Sequence, residues 1–474
     1  MLFPTIEFAI FFALVFPVTW LLNQHNTAKK WFLVAASYFF YASWNLSYTV
    51  ILLGSSLFNF ALALALDRLA DGRARRALLW VGIASNLGLL AYFKYYDFFV
   101  ASAINLMMSL GLPLDLCFIE IALPIAISFL TFHALSYIID VYHRKIPATR
   151  SLVDILLYIS FFPHLIAGPI VRAKAFLEQT VRSSSPRDVR LGFAVLLIGG
   201  GLFKKVIVAS YLSTDFVDGV FRSPADYSRL DLLLGMYAYA IQIYCDFSAY
   251  TDIAIGIANL LGYRFPQNFN QPYRATSVRD FWRRWHMTLS SWLRDYLYIP
   301  LGGNRGGELA CYRNILVTMG LGGLWHGASA NFILWGLLHG AALVAERLRE
   351  SAAAAFPVWS GGRFAAVLGW LVTFHFVCVT WVLFRAPSPE AMQAYFATLA
   401  WGDTGWSSTI TPLVAAMLAI GGLTQIVPDR WFEDFEAYYD RASVAFKLAL
   451  PFLLIYLIAI AAPGGVPPFI YFQF

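Results

Sequence analysis

The chain has 474 residues, of which 59% are hydrophobic and 13% charged, whereas a soluble domain carries about 25% charged residues. With a mean hydropathy of +0.63, this balance excludes a soluble multidomain protein. It predicts an all-α polytopic membrane protein, and roughly 11–13 transmembrane or re-entrant helices are expected at about 20 apolar residues per crossing. The formal charge of +6 does not call for nucleic acid as a partner, because Lys and Arg collect in the cytoplasmic loops of membrane proteins.

Residues 4–22 read as a retained first span, since no Lys or Arg precedes its apolar run and no small-residue cleavage site follows. Residues 31–45 and 48–66 form a hairpin between two basic joints, His25 to Lys30 and Asp67 to Arg76, both expected in the cytoplasm. Residues 77–93 cross again. The stretch 97–117 is interrupted by Gly111 and Pro113 and is expected to lie at the outer face, because a full crossing there would put Arg144, Lys145 and Arg150 outside. Residues 119–142 carry Ser128, Thr131, His133, Ser136, Tyr137 and Asp140 mostly at i, i+3, i+4 spacing, a polar stripe that should face the interior. Residues 151–171 are apolar, yet basic loops flank them on both sides. FFPHLIAGP places Pro163, Gly168 and Pro169 inside the run, and a broken, re-entrant element reconciles the two facts. Residues 191–210, 231–262, 314–347, 363–385, 411–427 and 446–462 complete the membrane segments. The short polar joints predict one integrated domain over 1–474, with N-terminal helices in 1–142, a core in 143–347 and C-terminal helices in 348–474.

An ionisable side chain at bilayer depth is costly and marks function by default. In YCDFSAYTDIAIG, Asp246 and Asp252 are six apart, about 600° around a helix, so they do not share a face as an acid–base pair. Either each is held by a structural partner or, with Tyr244 and Asn331, they line a substrate channel; both readings stay open. His133, His164, His339 and His375 are each lone on an apolar segment and read as hydrogen-bonded packing residues, while His25 and His143 at basic joints read as solvated. The cysteines, Cys117, Cys245, Cys311 and Cys378, form no CxxC pair, so neither a disulfide framework nor a metal site is expected.

The block from Arg264 to Arg313 differs in kind. Its arginines alternate with Phe281, Trp282, Trp285, Trp292, Tyr296 and Tyr298, the composition of an interfacial belt. It also carries Pro272, Pro300 and the turn GGNRGG, so it is not one amphipathic helix. Arginines on the cytoplasmic side can hold the phosphates of a nucleotide-type donor such as CoA, and the candidate donor residues are Arg279, Arg283, Arg284, Trp285, Asn304 and Arg305. LGGNRGG lacks the spacing of a phosphate-binding P-loop. Within the block stands His286; one apolar segment later comes His326, in MGLGGLWHGASANFILWGLLHG. Burial among apolar residues keeps an imidazole neutral, the form a general base needs. His326 is therefore the first catalytic candidate, His286 the second, with His286, Asn331 or a backbone group available to orient His326 or bind an oxyanion.

RDFWRRWHMTLSSWLRDYLYIPLGGNR followed by GGLWHGASANFILWGLLHG resembles the membrane-bound O-acyltransferase superfamily. The likeness is to the bacterial branch that holds the alginate O-acetylation membrane subunit and the D-alanyl transfer protein of teichoic acids. FFPHLIAGPIVR, YCDFSAYTDIAIG, WVLFRA and the closing PFIYFQF extend it over nearly the whole chain. The resemblance implies a ring of helices with a thinned, funnel-like centre, where a cytoplasmic donor meets an extracytoplasmic acceptor. It matches His326 to the family's catalytic histidine and His286 to its second. Relatives often carry Gln at the positions of His133 and His164, so it gives neither a catalytic role. On this reading the chain is a multi-pass protein of the bacterial inner membrane. It takes an acetyl group from acetyl-CoA, without a metal, for O-acetylation of an exopolysaccharide, with a periplasmic acetyltransferase or other glycan-modifying protein as partner. D-alanine onto teichoic acid, acetate onto peptidoglycan, and a transporter or channel are the alternatives.

Overall fold

The structure, a computed structural model, describes residues 1–112, 123–355, 362–405 and 409–470. Pro113, Cys117, the first residues of the 119–142 segment and the last four of PFIYFQF lie outside them. Every regular element among the described residues is a helix. Tyr48–Arg68, Arg73–Ser109, Leu191–Arg222, Arg363–Arg385 and Val444–Ala461 are long and apolar enough to cross a membrane. Val444–Ala461 turns Leu448, Phe452, Ile455 and Ile460 outward, and a helix that is apolar all round and exposed has lipid as its solvent. The chain is a multi-pass membrane protein. Its residues cluster into two compact units, Met1–Val189 with Ile257–Phe265, and Arg190–Gly256 with Pro266–Phe474.

The first unit is built around Ile127–Tyr142, a helix buried along most of its length against Tyr48–Arg68, Arg73–Ser109 and Leu152–Ser160. The polar stripe does face inward: Thr131, His133, Ser136 and Asp140 are buried, with Thr131 Oγ1 donating to Ile127 O at 2.8 Å. His164 Nε2 meets the Tyr158 carbonyl at 2.9 Å, the expected packing role. His133 departs from it, since neither ring nitrogen has a hydrogen-bond partner among the described residues and the ring lies 4.5 Å from that of His164. The expected break in 151–171 falls at Phe161, between Leu152–Ser160 and Phe162–Leu165, where Pro163 occupies the first turn as its fixed φ favours.

One boundary read from the sequence needs correction. Arg73–Ser109 is one helix of 37 residues, about 55 Å at 1.5 Å per residue, so 77–93 and the described part of 97–117 are continuous. The helix ends at Ser109, just before Gly111, where the sequence placed the interruption. At the basic joints His25 and His143 are exposed, as expected, while several neighbouring basic side chains turn inward. Lys30 pairs with Asp154 at 2.6 Å, Lys29 donates to Asn23 Oδ1 at 3.1 Å, and Arg75, 3% exposed, donates to Leu66 O at 3.1 Å and Val141 O at 3.2 Å. A count of basic residues places loops by charge alone and cannot see that these side chains turn inward, to a carboxylate, an amide oxygen and two backbone carbonyls.

In the second unit, Leu191–Arg222 contains two π-helical stretches, Phe203–Ala209 and Ser213–Val217, and packs along the buried helix Arg229–Leu260. Lys204 Nζ meets Asp252 Oδ2 at 2.5 Å, and Lys205 Nζ meets Asp246 Oδ1 at 2.7 Å. The channel carboxylates of the sequence reading thus each hold a lysine. Glu308–His326 and Ala330–Ala355 form a tight hairpin, and Arg363–Arg385 packs on the second of them. A Cβ on Gly323 would run into the Phe332 carbonyl and one on Gly336 into the Met319 carbonyl, so glycine at both positions lets the backbones touch.

Candidate active site

Both histidine motifs of the second unit lie within Ser277 to Gly327. Ser277 caps its helix by accepting from Asp280 N at 3.0 Å, which starts Val278–Arg284. The chain then turns at His286, whose φ of 43° and ψ of 53° lie in the left-handed region, a strain of about 1–3 kcal/mol for a non-glycine residue that is found where function requires it. Met287–Leu293 follows, then a π-helical turn, Arg294–Tyr298. In GGNRGG all four glycines have positive φ, which folds the chain back into Glu308–His326.

His286 is fully buried. Its Nδ1 lies 3.2 Å from Asn268 Oδ1, and its Nε2 has no hydrogen-bond partner among the described residues. Burial pushes the imidazole down to about 3, so the ring is neutral at physiological pH. His326, at the C-terminus of its helix and 3% exposed, is walled by Trp325 at 5.0 Å, Trp335 at 5.1 Å and Phe384 at 5.4 Å between ring centroids. Trp325 also lies 6.2 Å from the His286 ring. The two histidines therefore share one indole as a common wall.

On the same helices opens a cavity of about 940 Å³, lined by Arg279, Arg283, Arg294 and Arg347 with Glu350, and by Trp282, Met287, Ser290, Tyr298, Thr318 and Met319 among others. Thr318 precedes His326 by eight residues, about 12 Å at 1.5 Å per residue. Trp282, in the cavity wall, lies 5.7 Å from Trp335, which in turn faces His326. Four arginines against one carboxylate make the cavity suited to an anionic ligand, and its size suits a chain longer than a single phosphate.

Of the six residues expected to hold the donor, Arg279, Arg283 and Asn304 line this cavity. Arg279 is already engaged with Glu350 at 2.8 Å, and Asn304 Oδ1 accepts from Tyr298 Oη at 2.6 Å and Arg347 at 3.3 Å. Arg284 turns to Asp280 at 3.0 Å, Trp285 is buried among Phe269, Phe281 and Trp381, and Arg305 is exposed in the turn. The sequence reading missed Arg294 and Arg347 as cavity residues. Arg347 was out of reach because it comes from the hairpin's far helix. Tyr244 packs on Phe269 and Tyr273, one ring away from His286. The Asn331 side chain donates to Ala386 O at 3.2 Å, which ties WVLFRA to the His326 hairpin.

These features define a class: a polytopic helical membrane protein with a buried histidine pair on the helices that line an arginine-rich cavity. The family model described as MBOAT, membrane-bound O-acyltransferase family, matches residues 83–386. The chain is similar to the probable alginate O-acetylase AlgI of Pseudomonas aeruginosa, 42% identical over 78% of this chain and 69% of that one. It is also similar to the protein of that name from Pseudomonas putida, 37% identical over 93% and 94%, and to a peptidoglycan O-acetyltransferase of Helicobacter pylori, 39% identical over 77% and 72%. The chain belongs to the membrane-bound O-acyltransferase family and is an acyltransferase.

Proposed function

We propose that the chain takes an acetyl group from cytoplasmic acetyl-CoA and passes it across the bacterial inner membrane for O-acetylation of an exopolysaccharide of the alginate or cellulose kind. The observation that carries this reading is the placement of His326 and the neutral His286 around Trp325, two helical turns along from a cavity rich in arginine. The CoA phosphates bind Arg283, Arg294 and Arg347, and the pantetheine arm runs past Trp282 toward His326. His326 takes the proton of the acceptor hydroxyl as its oxygen attacks the thioester carbonyl. The O–H and C–S bonds break, the C–O bond forms, and the proton ends on the CoA thiol. General-base help of this kind is worth about 10²–10⁴-fold. His286 assists that proton transfer.

The names of the relatives support a polysaccharide acceptor, which a separate periplasmic protein presents to the chain. Acetate onto peptidoglycan is the second reading, supported by the Helicobacter pylori relative, whose 39% identity is close to that of the alginate enzymes. Deleting the gene and measuring ester-linked acetate on each envelope glycan distinguishes them. Loss confined to exopolysaccharide supports the first reading; loss confined to peptidoglycan replaces it with the second.

A further inference from the structure

The ring of His286 is held by a segment 18 residues upstream. Asn270 N donates to Arg284 O at 2.9 Å and Met287 N donates to Asn268 O at 2.9 Å, so the backbone around Asn268–Asn270 runs beside the turn that carries the histidine. This pairing sets the Asn268 side chain against the imidazole. Its Oδ1 accepts from Thr288 N at 3.1 Å and Thr288 Oγ1 at 2.8 Å, and it meets His286 Nδ1 at 3.2 Å.

The Thr288 backbone N–H decides the orientation of the amide, because only the oxygen end can accept from it. An oxygen facing Nδ1 in turn requires the proton on Nδ1, and the lone pair then resides on Nε2. The rest of the ring's surroundings are aromatic: Phe247 edge-on at 4.7 Å, Phe269 stacked at 6.3 Å and Trp325 at 6.2 Å. The aromatic rings around it carry no charge, and burial keeps the imidazole neutral. Asn268 itself is fully buried, and its Nδ2 has no hydrogen-bond partner among the described residues. A side chain placed only for packing usually has both ends satisfied.

We propose that Asn268 is a positioning residue for acyl transfer: it fixes the tautomer and orientation of His286 so that Nε2 faces the reaction as a proton acceptor. This rests on the reading of His286 given above and extends it to a residue outside both histidine motifs.

The test uses purified full-length protein in nanodiscs, with acetyl-CoA as donor and alginate oligosaccharide as acceptor. Asn268→Ala should lower kcat about 10–100-fold, the usual effect of losing a group that orients a functional histidine, and leave KM for acetyl-CoA within about twofold. Asn268→Asp keeps an acceptor for Nδ1 and adds a negative charge that favours the imidazolium. It should retain most of the rate near neutral pH and move the acid limb of the pH–rate profile upward. Wild-type kcat in Asn268→Ala overturns the proposal, as does an Asn268→Asp protein that is slow with an unmoved profile. If Asn268→Ala does not fold, the Asn268→Asp profile decides. His286→Ala separates the two layers. A wild-type rate there removes the role of His286 itself, whereas a slow His286→Ala beside a fast Asn268→Ala removes only that of Asn268.

Discussion

Replacing Lys205 by Met removes one half of an ion pair whose side chains are 2% and 5% exposed and 2.7 Å apart. The same ammonium donates to the Pro468 carbonyl at 3.2 Å, and the other oxygen of Asp246 accepts from Ile470 N at 2.8 Å. The variant leaves a carboxylate buried with a single backbone donor. Breaking a buried pair from one side costs about 3–5 kcal/mol, because the remaining charge is uncompensated. Lys205→Met and Asp246→Leu are each expected to lose that much. The double variant removes both charges and leaves the Ile470 N–H without its acceptor and the Pro468 carbonyl without its donor, about 1–3 kcal/mol each, so it should lose clearly less than the two single losses added together. Activity should fall with stability in the single variants. The pair pins Pro468–Ile470, Phe469 lies 5.8 Å from Phe247, and Phe247 abuts His286. Thermal unfolding in nanodiscs, followed by tryptophan fluorescence and analysed as a double-mutant cycle, reads this directly. Additive losses, or a Lys205→Met protein as stable as the wild type, would refute the reasoning.

Arg347→Ala and Arg294→Ala are each expected to raise KM for acetyl-CoA several-fold with kcat nearly unchanged, and the effect should shrink as salt rises; steady-state kinetics at two ionic strengths checks it. Gly336→Ala forces a Cβ into the Met319 carbonyl and should cost about 1–3 kcal/mol by overpacking, with a loss of activity because the hairpin carries His326; unfolding midpoints and rates measured together test this. The folded-state value of His286, about 3, lies below its ordinary 6.5, so below pH 6.5 the unfolded chain binds a proton that the folded one refuses. Its contribution to stability is whole above 6.5 and declines by about 1.4 kcal/mol per pH unit as pH falls toward 3. A His286→Gln protein should lose less stability over that window, and an identical acid profile would contradict the assignment.

What the sequence made legible was local. The apolar spans, the glycines of GGLWHG, and the arginine and tryptophan alternation around His286 each announce themselves within about twenty residues, and the structure gathers the two histidine motifs around Trp325. What it concealed depends on chain segments meeting across distance. Asp246 and Asp252 left a structural partner and a channel role both open, because the partners, Lys204 and Lys205, sit some 40 residues earlier in an apolar run. Arg347 reaches the cavity only because Gly323 and Gly336 close the hairpin. Trp285 looked like a donor residue by its neighbours, yet the helix turns it into the aromatic core. Asn268 gave one signal that could have been weighed, its place in the Asn- and Gln-rich stretch PQNFNQPYR just before the arginine block.

The central claim is acetyl transfer through His326. It is tested most directly by incubating the protein in nanodiscs with acetyl-labelled acetyl-CoA and alginate oligosaccharide, comparing wild type with His326→Ala. The account predicts labelled ester on the saccharide with the wild type and at least a hundredfold slower labelling with the variant, the lower end of the range for a lost general base of about 10²–10⁴-fold. Equal labelling by the two proteins would contradict it.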